Sequence, residues 1–176
     1  VYVLDAPAGP VGVILPPKTG TRSVEKVLRG LGAKKLAGRH GVDKAALRDC
    51  RAVYSTLRNP FDVLVSWFHY RPPAGVRDKS FEMWFDLSVR QGRNGYLNRG
   101  RALPHATLAD RFMRHENGLA SELNRMLTEV GREPAEVPHI GAAENRRGYR
   151  AYYSPALRDE VMERFHLDFD TFGYSF

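Results

Sequence analysis

Cysteine is nearly absent from this 176-residue chain: Cys50 stands by itself, which excludes an internal disulfide and any metal cluster built on thiolates. A reducing compartment is the simpler inference. No apolar run approaches the roughly 20 residues of a membrane span, and no signal peptide is visible. No linker, repeat or low-complexity tract divides the chain, so one domain over residues 1–176 is expected. With 43% hydrophobic residues the chain can bury a real core but has little room for a second. No histidine and carboxylate cluster has metal-ligand spacing, so no metal is expected. Acidic residues are outnumbered, 20 against 27 basic, and the formal charge of +7 predicts attraction for anions. The basic residues are dispersed and no zinc-finger, RNA-recognition or homeodomain pattern is present, so nucleic acid is not the expected partner.

A Walker A loop is also missing. That motif spaces two glycines around a lysine followed by Ser or Thr, whereas in PPKTGTRSVEKVL, residues 16–28, the lysine precedes the one glycine. The stretch still has the chemistry of an anion cradle. Val11 to Leu15 reads as a short buried strand, and Val24, Val27, Leu28 and Leu31 recur on one helix face. Thr19 to Ser23 therefore open a helix, whose first N–H groups lack intrahelical partners and lie at the positive end of the macrodipole. Lys18 adds an ammonium, and Thr21 or Ser23 would add hydroxyl donors. The bland alternative is a Gly/Thr turn with a solvated lysine.

A second strand-like run, Ala52 to Leu57, ends in Arg58-Asn59-Pro60. Asn59 suits an N-cap and Pro60 a first helical residue, with Phe61, Leu64, Val65 and Phe68 on one face of the helix that follows. Arg58 thus falls at the carboxyl end of a strand, the edge where open α/β sheets bind ligands. Ser66 lies on the flank of the following helix.

These two segments resemble, in order and separation, the two phosphate motifs of the sulfotransferases that use 3'-phosphoadenosine 5'-phosphosulfate (PAPS). PKTGT is similar to their 5'-phosphosulfate loop, and RNPFDVLVSWFHYR to their 3'-phosphate motif. DRFMRHENGLASELNRMLTEVG and YRAYYSPALRDEVMERFHLDFDTFGY resemble later elements of the carbohydrate-type branch. The resemblance implies an α/β fold of the P-loop NTPase-like kind, a three-layer domain with a central parallel sheet flanked by helices. It also implies cofactor contacts from Pro17, Lys18, Thr19, Gly20, Thr21, Arg22 and Ser23, with Arg58 and Ser66 on the 3'-phosphate. Arg146, in Asn145-Arg146-Arg147-Gly148, falls where the family has a late loop near that phosphate. The product would be 3',5'-adenosine diphosphate.

The implied reaction is in-line transfer of the sulfuryl group to an acceptor hydroxyl on a carbohydrate or small molecule. Lys18 would follow charge onto the oxygen bridging sulfate and phosphate. For the base, the resemblance points to His40, in a loop between the first helix and the Arg58 strand; a solvated loop histidine is the plain alternative. Glu82 is the runner-up, Glu116 is read as structural, and His69 shares the flank of Ser66. Two other functions stay open: a kinase of the same architecture, and a noncatalytic module that binds PAPS or another polyanion. Residues 71–106 carry no readable acceptor code. The Ala, Arg and Gly-rich usage fits a bacterial cytoplasmic enzyme. The Golgi lumen is the alternative if an anchor ahead of Val1 was removed, as animal Golgi members carry one.

Overall fold

The computed structural model describes residues 1–37, 42–70, 80–97, 101–141 and 146–176. In chain order its elements are β1 (Tyr2–Leu4), β2 (Val11–Ile14), α1 (Thr21–Gly30), β3 (Lys34–Lys35), α2 (Lys44–Arg48), β4 (Ala52–Leu57) and α3 (Pro60–Tyr70). There follow α4 (Phe81–Phe85), β5 (Arg111–Arg114), α5 (Leu119–Glu129), α6 (Pro155–Arg164) and α7 (His166–Phe172). The chain divides into two compact units, Val1–Arg58 with His105–Ala142, and Asn59–Pro104 with Ala143–Phe176.

The first unit holds a five-stranded sheet in the order β3-β1-β2-β4-β5. Strands β2, β4 and β5 run parallel, but β1 is antiparallel to both β2 and β3. The sheet is therefore mixed, which corrects the expectation of a parallel one. The cause is local: only residues 5–10 join β1 to β2, too few for the crossover that parallel strands need. Sequence periodicity did not reveal β1 or β3, which have three and two residues.

Alternation along the strands sends side chains to two faces. Val11, Val13, Ala52, Tyr54 and Met113 point to one, where they pack with Val24, Val27 and Leu28 of α1 and Leu123, Met126 and Leu127 of α5. Ile14 and Val53 point to the other and meet Leu47 of α2. Both faces are covered, so every residue of β2 and β4 is buried, as expected for central parallel strands.

The second unit is helical and aromatic. Asn59 caps α3 by accepting the Phe61 N–H through Oδ1 at 3.0 Å, while its Nδ2 donates to the Ser175 carbonyl at 2.8 Å. Phe61 is fully buried among Tyr149, Tyr153, Phe169 and Phe176, with ring centroids 4.8 to 6.2 Å away. Ser154 caps α6 by accepting the Leu157 N–H, and Pro155 opens the helix. Asp168 on α7, fully buried, accepts the N–H groups of Ala102 and Leu103 and pairs with Arg101. Among the described residues no helix is long and apolar enough to cross a membrane.

Candidate anion-binding site

After β2 the chain passes through Leu15, Pro16 and Pro17 into a tight turn before α1 begins. Lys18 and Gly20 are both left-handed, with φ of +68° and +84°. Glycine tolerates this geometry, but a residue with a Cβ gives up roughly 1–2 kcal/mol. A left-handed lysine at the mouth of a helix is thus a strained feature held in place by its surroundings.

Those surroundings are specific. The Pro16 carbonyl accepts two hydroxyl hydrogen bonds, from Thr19 at 2.7 Å and from Thr21 at 2.8 Å. Thr19 has then given up its one proton, so in its 2.5 Å contact with Thr56 it is Thr56 of β4 that donates. Both threonines are fully buried. The first bonds of α1 run from the Ser23 and Val24 N–H groups to the Gly20 carbonyl, so the N–H groups of Gly20, Thr21 and Arg22 come before the ladder starts. What this turn offers an anion is main-chain N–H together with the Lys18 ammonium, since the threonine protons face Pro16.

The parallel register brings further groups to the same edge. Leu57 pairs with Arg114 as the last rung between β4 and β5, so Arg58 and His115 are the residues that directly follow two neighbouring strands. Arg58 is 8% exposed, and its Nη1 donates to the Lys18 carbonyl at 3.0 Å. Burial lowers its pKa to about 10, against a smaller raising effect from Glu116. His115 is held neutral: burial, then the Arg58 charge, then His139 lower its pKa to about 4, with Glu116 opposing. The segment after residue 138 returns to the same place. The Ile140 N–H donates to Ser23 Oγ at 3.2 Å, and a Cβ on Gly141 would lie 3.2 Å from the Arg22 guanidinium.

Residues Pro17 to Ser23 and Arg58 are thus brought together in the first unit: Pro17, Thr19 and Ser23 are buried, Lys18, Gly20 and Thr21 half-buried, and Arg22 exposed. Ser66 and Arg146 belong to the second unit. There Arg146 pairs with the Asp62 carboxylate and donates to the Asp62 carbonyl at 3.4 Å. Asp62 and Ser66 are one helical turn apart, so Arg146 is anchored on the turn of α3 preceding Ser66. His69 bonds the Tyr152 hydroxyl at 2.8 Å through Nε2, and Glu82 is an exposed first-turn carboxylate of α4. His40 lies outside the described residues.

Sequence reasoning missed His115 and the returning segment at 139–141. The signal for His115 was present, since it follows a strand as directly as Arg58 does. Two cavities are lined by other residues: one of about 20 Å³ by Val11, Ala52 and Arg111 at the opposite strand ends, and one of about 300 Å³ along α1 by Lys26, Leu31 and Pro138. Compared with family models, with curated proteins and with solved structures, the chain matches none. Among the described residues no group of His, Cys, Asp and Glu has the arrangement of a metal site.

Proposed function

We propose that this chain is a PAPS-dependent sulfotransferase that moves the sulfuryl group to an acceptor hydroxyl. The observation that supports it most is the hydrogen bond from Arg58, at the carboxyl end of β4, to the carbonyl of left-handed Lys18. That bond ties a buried guanidinium to a helix-opening turn whose N–H groups and ammonium suit a phosphosulfate. In this reading the turn from Lys18 to Arg22 holds the 5'-phosphosulfate and Arg58 contacts the 3'-phosphate. The fold is then a P-loop-like variant carrying an antiparallel edge.

The acceptor oxygen attacks sulfur opposite the bridging oxygen, the new S–O bond forms as the S–O bond to the 5'-phosphate breaks, and 3',5'-adenosine diphosphate leaves. The acceptor proton passes to a base, for which His40 is the candidate. Lys18 acts on the leaving oxygen as charge develops there, the moment at which a preorganised cation contributes most. The test is incubation with sulfur-labelled PAPS and a panel of hydroxylated acceptors, with calorimetry of 3',5'-adenosine diphosphate and of ATP in parallel. Label transfer with selective binding of 3',5'-adenosine diphosphate is expected. Preferential ATP binding, or cofactor binding without transfer to any acceptor class, would overturn the reading in favour of a kinase or a binding module.

A further inference from the structure

The histidine that follows β5 has no part in the function just proposed, yet it occupies the register position beside Arg58. We propose that His115 belongs to the anion-binding edge and contacts the bound phosphate group alongside Arg58. The inference rests on the proposed PAPS reading only for the identity of the ligand; the geometry concerns any phosphate at this edge.

Three observations carry it. Strands β4 and β5 are parallel and end on the same rung, Leu57 with Arg114, so the residues that follow emerge side by side. Arg58 is bonded to the Lys18 carbonyl, which fixes that pair of residues to the helix-opening turn. His115 begins a short 3-10 turn, and its own carbonyl accepts the Gly118 N–H at 3.1 Å, so its backbone is held where β5 ends.

The charged and titratable groups that act electrostatically on the ring are Arg58 from the end of β4, Glu116 from its own turn and His139 from the returning segment. Without ligand, burial and the Arg58 charge keep the imidazole neutral, with a pKa of about 4. A dianionic phosphate beside Arg58 cancels that cation's field and adds attraction of its own, which favours the imidazolium. The ring therefore takes a proton from solvent as the anion binds, and a neutral side chain becomes a second cationic contact. Arg58 confers affinity at every physiological pH, whereas His115 confers affinity that grows as pH falls.

The sign follows from linkage. The bound state holds the extra proton, so affinity is enhanced below the pKa of the complex and the enhancement is lost as pH rises through it. Between the free and bound values the gain reaches up to about tenfold per pH unit.

The experiment is titration of 3',5'-adenosine diphosphate and, separately, pyrophosphate into the wild-type chain and His115→Gln. Calorimetry at pH 6 and pH 8 in buffers of different ionisation heat reads the protons taken up. Glutamine keeps a neutral donor and acceptor, so the variant should bind within about twofold of wild type at pH 8. At pH 6 wild type should take up close to one proton more than the variant; titration of the ligand's own phosphates cancels in that difference. Equal proton uptake by the two proteins would overturn the role of His115 while leaving the PAPS reading standing. The expected difference with pyrophosphate, in a chain that does not bind 3',5'-adenosine diphosphate, would uphold His115 and remove PAPS as the ligand. Binding of neither anion overturns both. If His115→Gln does not fold, the ring's NMR titration in wild type decides: its midpoint must rise when pyrophosphate is added, and an unmoved midpoint refutes the inference.

Discussion

Gly20→Ala puts the architecture of the turn to a direct test. Gly20 is left-handed at φ +84°, and a Cβ there would overlap Cδ2 of Leu119 and come within 3.4 Å of its Cγ and Cδ1. Two costs follow, and they are separable. The left-handed backbone costs a residue with a Cβ roughly 1–2 kcal/mol. The overlap is with a leucine that opens α5, and forcing extra volume into such a site typically costs about 1–3 kcal/mol. The combined loss of about 2 to 5 kcal/mol is a large fraction of the roughly 5–15 kcal/mol by which a domain is stable. In a chain of this length each kcal/mol lowers Tm by about 2–4 °C, so a fall of about 4 to 20 °C is expected. Urea denaturation and thermal melts of wild type, Gly20→Ala, Leu119→Ala and the double variant form the assay. Leu119→Ala removes the clash but not the φ penalty, so adding it to Gly20→Ala should recover part of the loss, a coupling of about 1 kcal/mol or more. Gly20→Ala within 0.5 kcal/mol of wild type, or a double variant showing strict additivity, would refute the close approach of Gly20 to Leu119.

Arg58→Ala should weaken 3',5'-adenosine diphosphate by about 10- to 150-fold more than 5'-adenosine monophosphate in calorimetry, from a charge-assisted contact of about 1.5–3 kcal/mol; equal losses would separate Arg58 from the 3'-phosphate. For Lys18→Ala, kcat should fall more than cofactor affinity, and Lys18→Gly should be more stable than Lys18→Ala by about 1 kcal/mol in denaturant titration, because φ is +68°. Thr19→Val strands the Thr56 hydroxyl and removes one donor from Pro16, and should destabilise the fold by about 1–3 kcal/mol in the same assay. Burial of the Glu122 carboxyl, which raises its pKa, is outweighed by Arg125 at 2.7 Å, Asn117 at 2.9 Å and the Arg114 N–H, so the net shift is downward. Its contribution is therefore complete above the ordinary glutamate pKa and disappears as pH falls through the lowered one; the stability gap between wild type and Glu122→Gln should close over that acid range.

The elements around the site were legible because local chemistry marked both their ends. Ala52 to Leu57 is a strand between polar residues, and Asn59-Pro60 and Ser154-Pro155 each join a cap to a first helical residue. Leu123, Met126 and Leu127 carry the helix period and are buried as that period requires. The antiparallel half of the sheet was not legible, since Tyr2–Leu4 is too short to show alternation and Lys34–Lys35 has no apolar residue. At the site, Lys18 and Arg58 could be paired from motif order. The pairing of Arg58 with His115 depends on the rung between Leu57 and Arg114, positions 57 residues apart, and no periodic pattern encodes such a register. The destination of the Thr19 and Thr21 protons was equally hidden, because a carbonyl acceptor leaves no mark in the sequence.

That carbonyl has a thermodynamic consequence. Pro16 gathers the hydroxyls of Thr19 and Thr21, and Thr56 secures Thr19 from β4, so the turn is shaped by bonds it makes to itself and to the sheet. Two prolines already restrict the backbone torsions ahead of it. Immobilising a backbone residue costs roughly 1–2 kcal/mol of conformational entropy, and here that freedom is surrendered when the chain folds. If the turn binds the anion proposed for it, that ligand would meet donors already in position, so association would carry little ordering penalty in the turn, and differences among ligands would reflect contacts and desolvation more than loop closure.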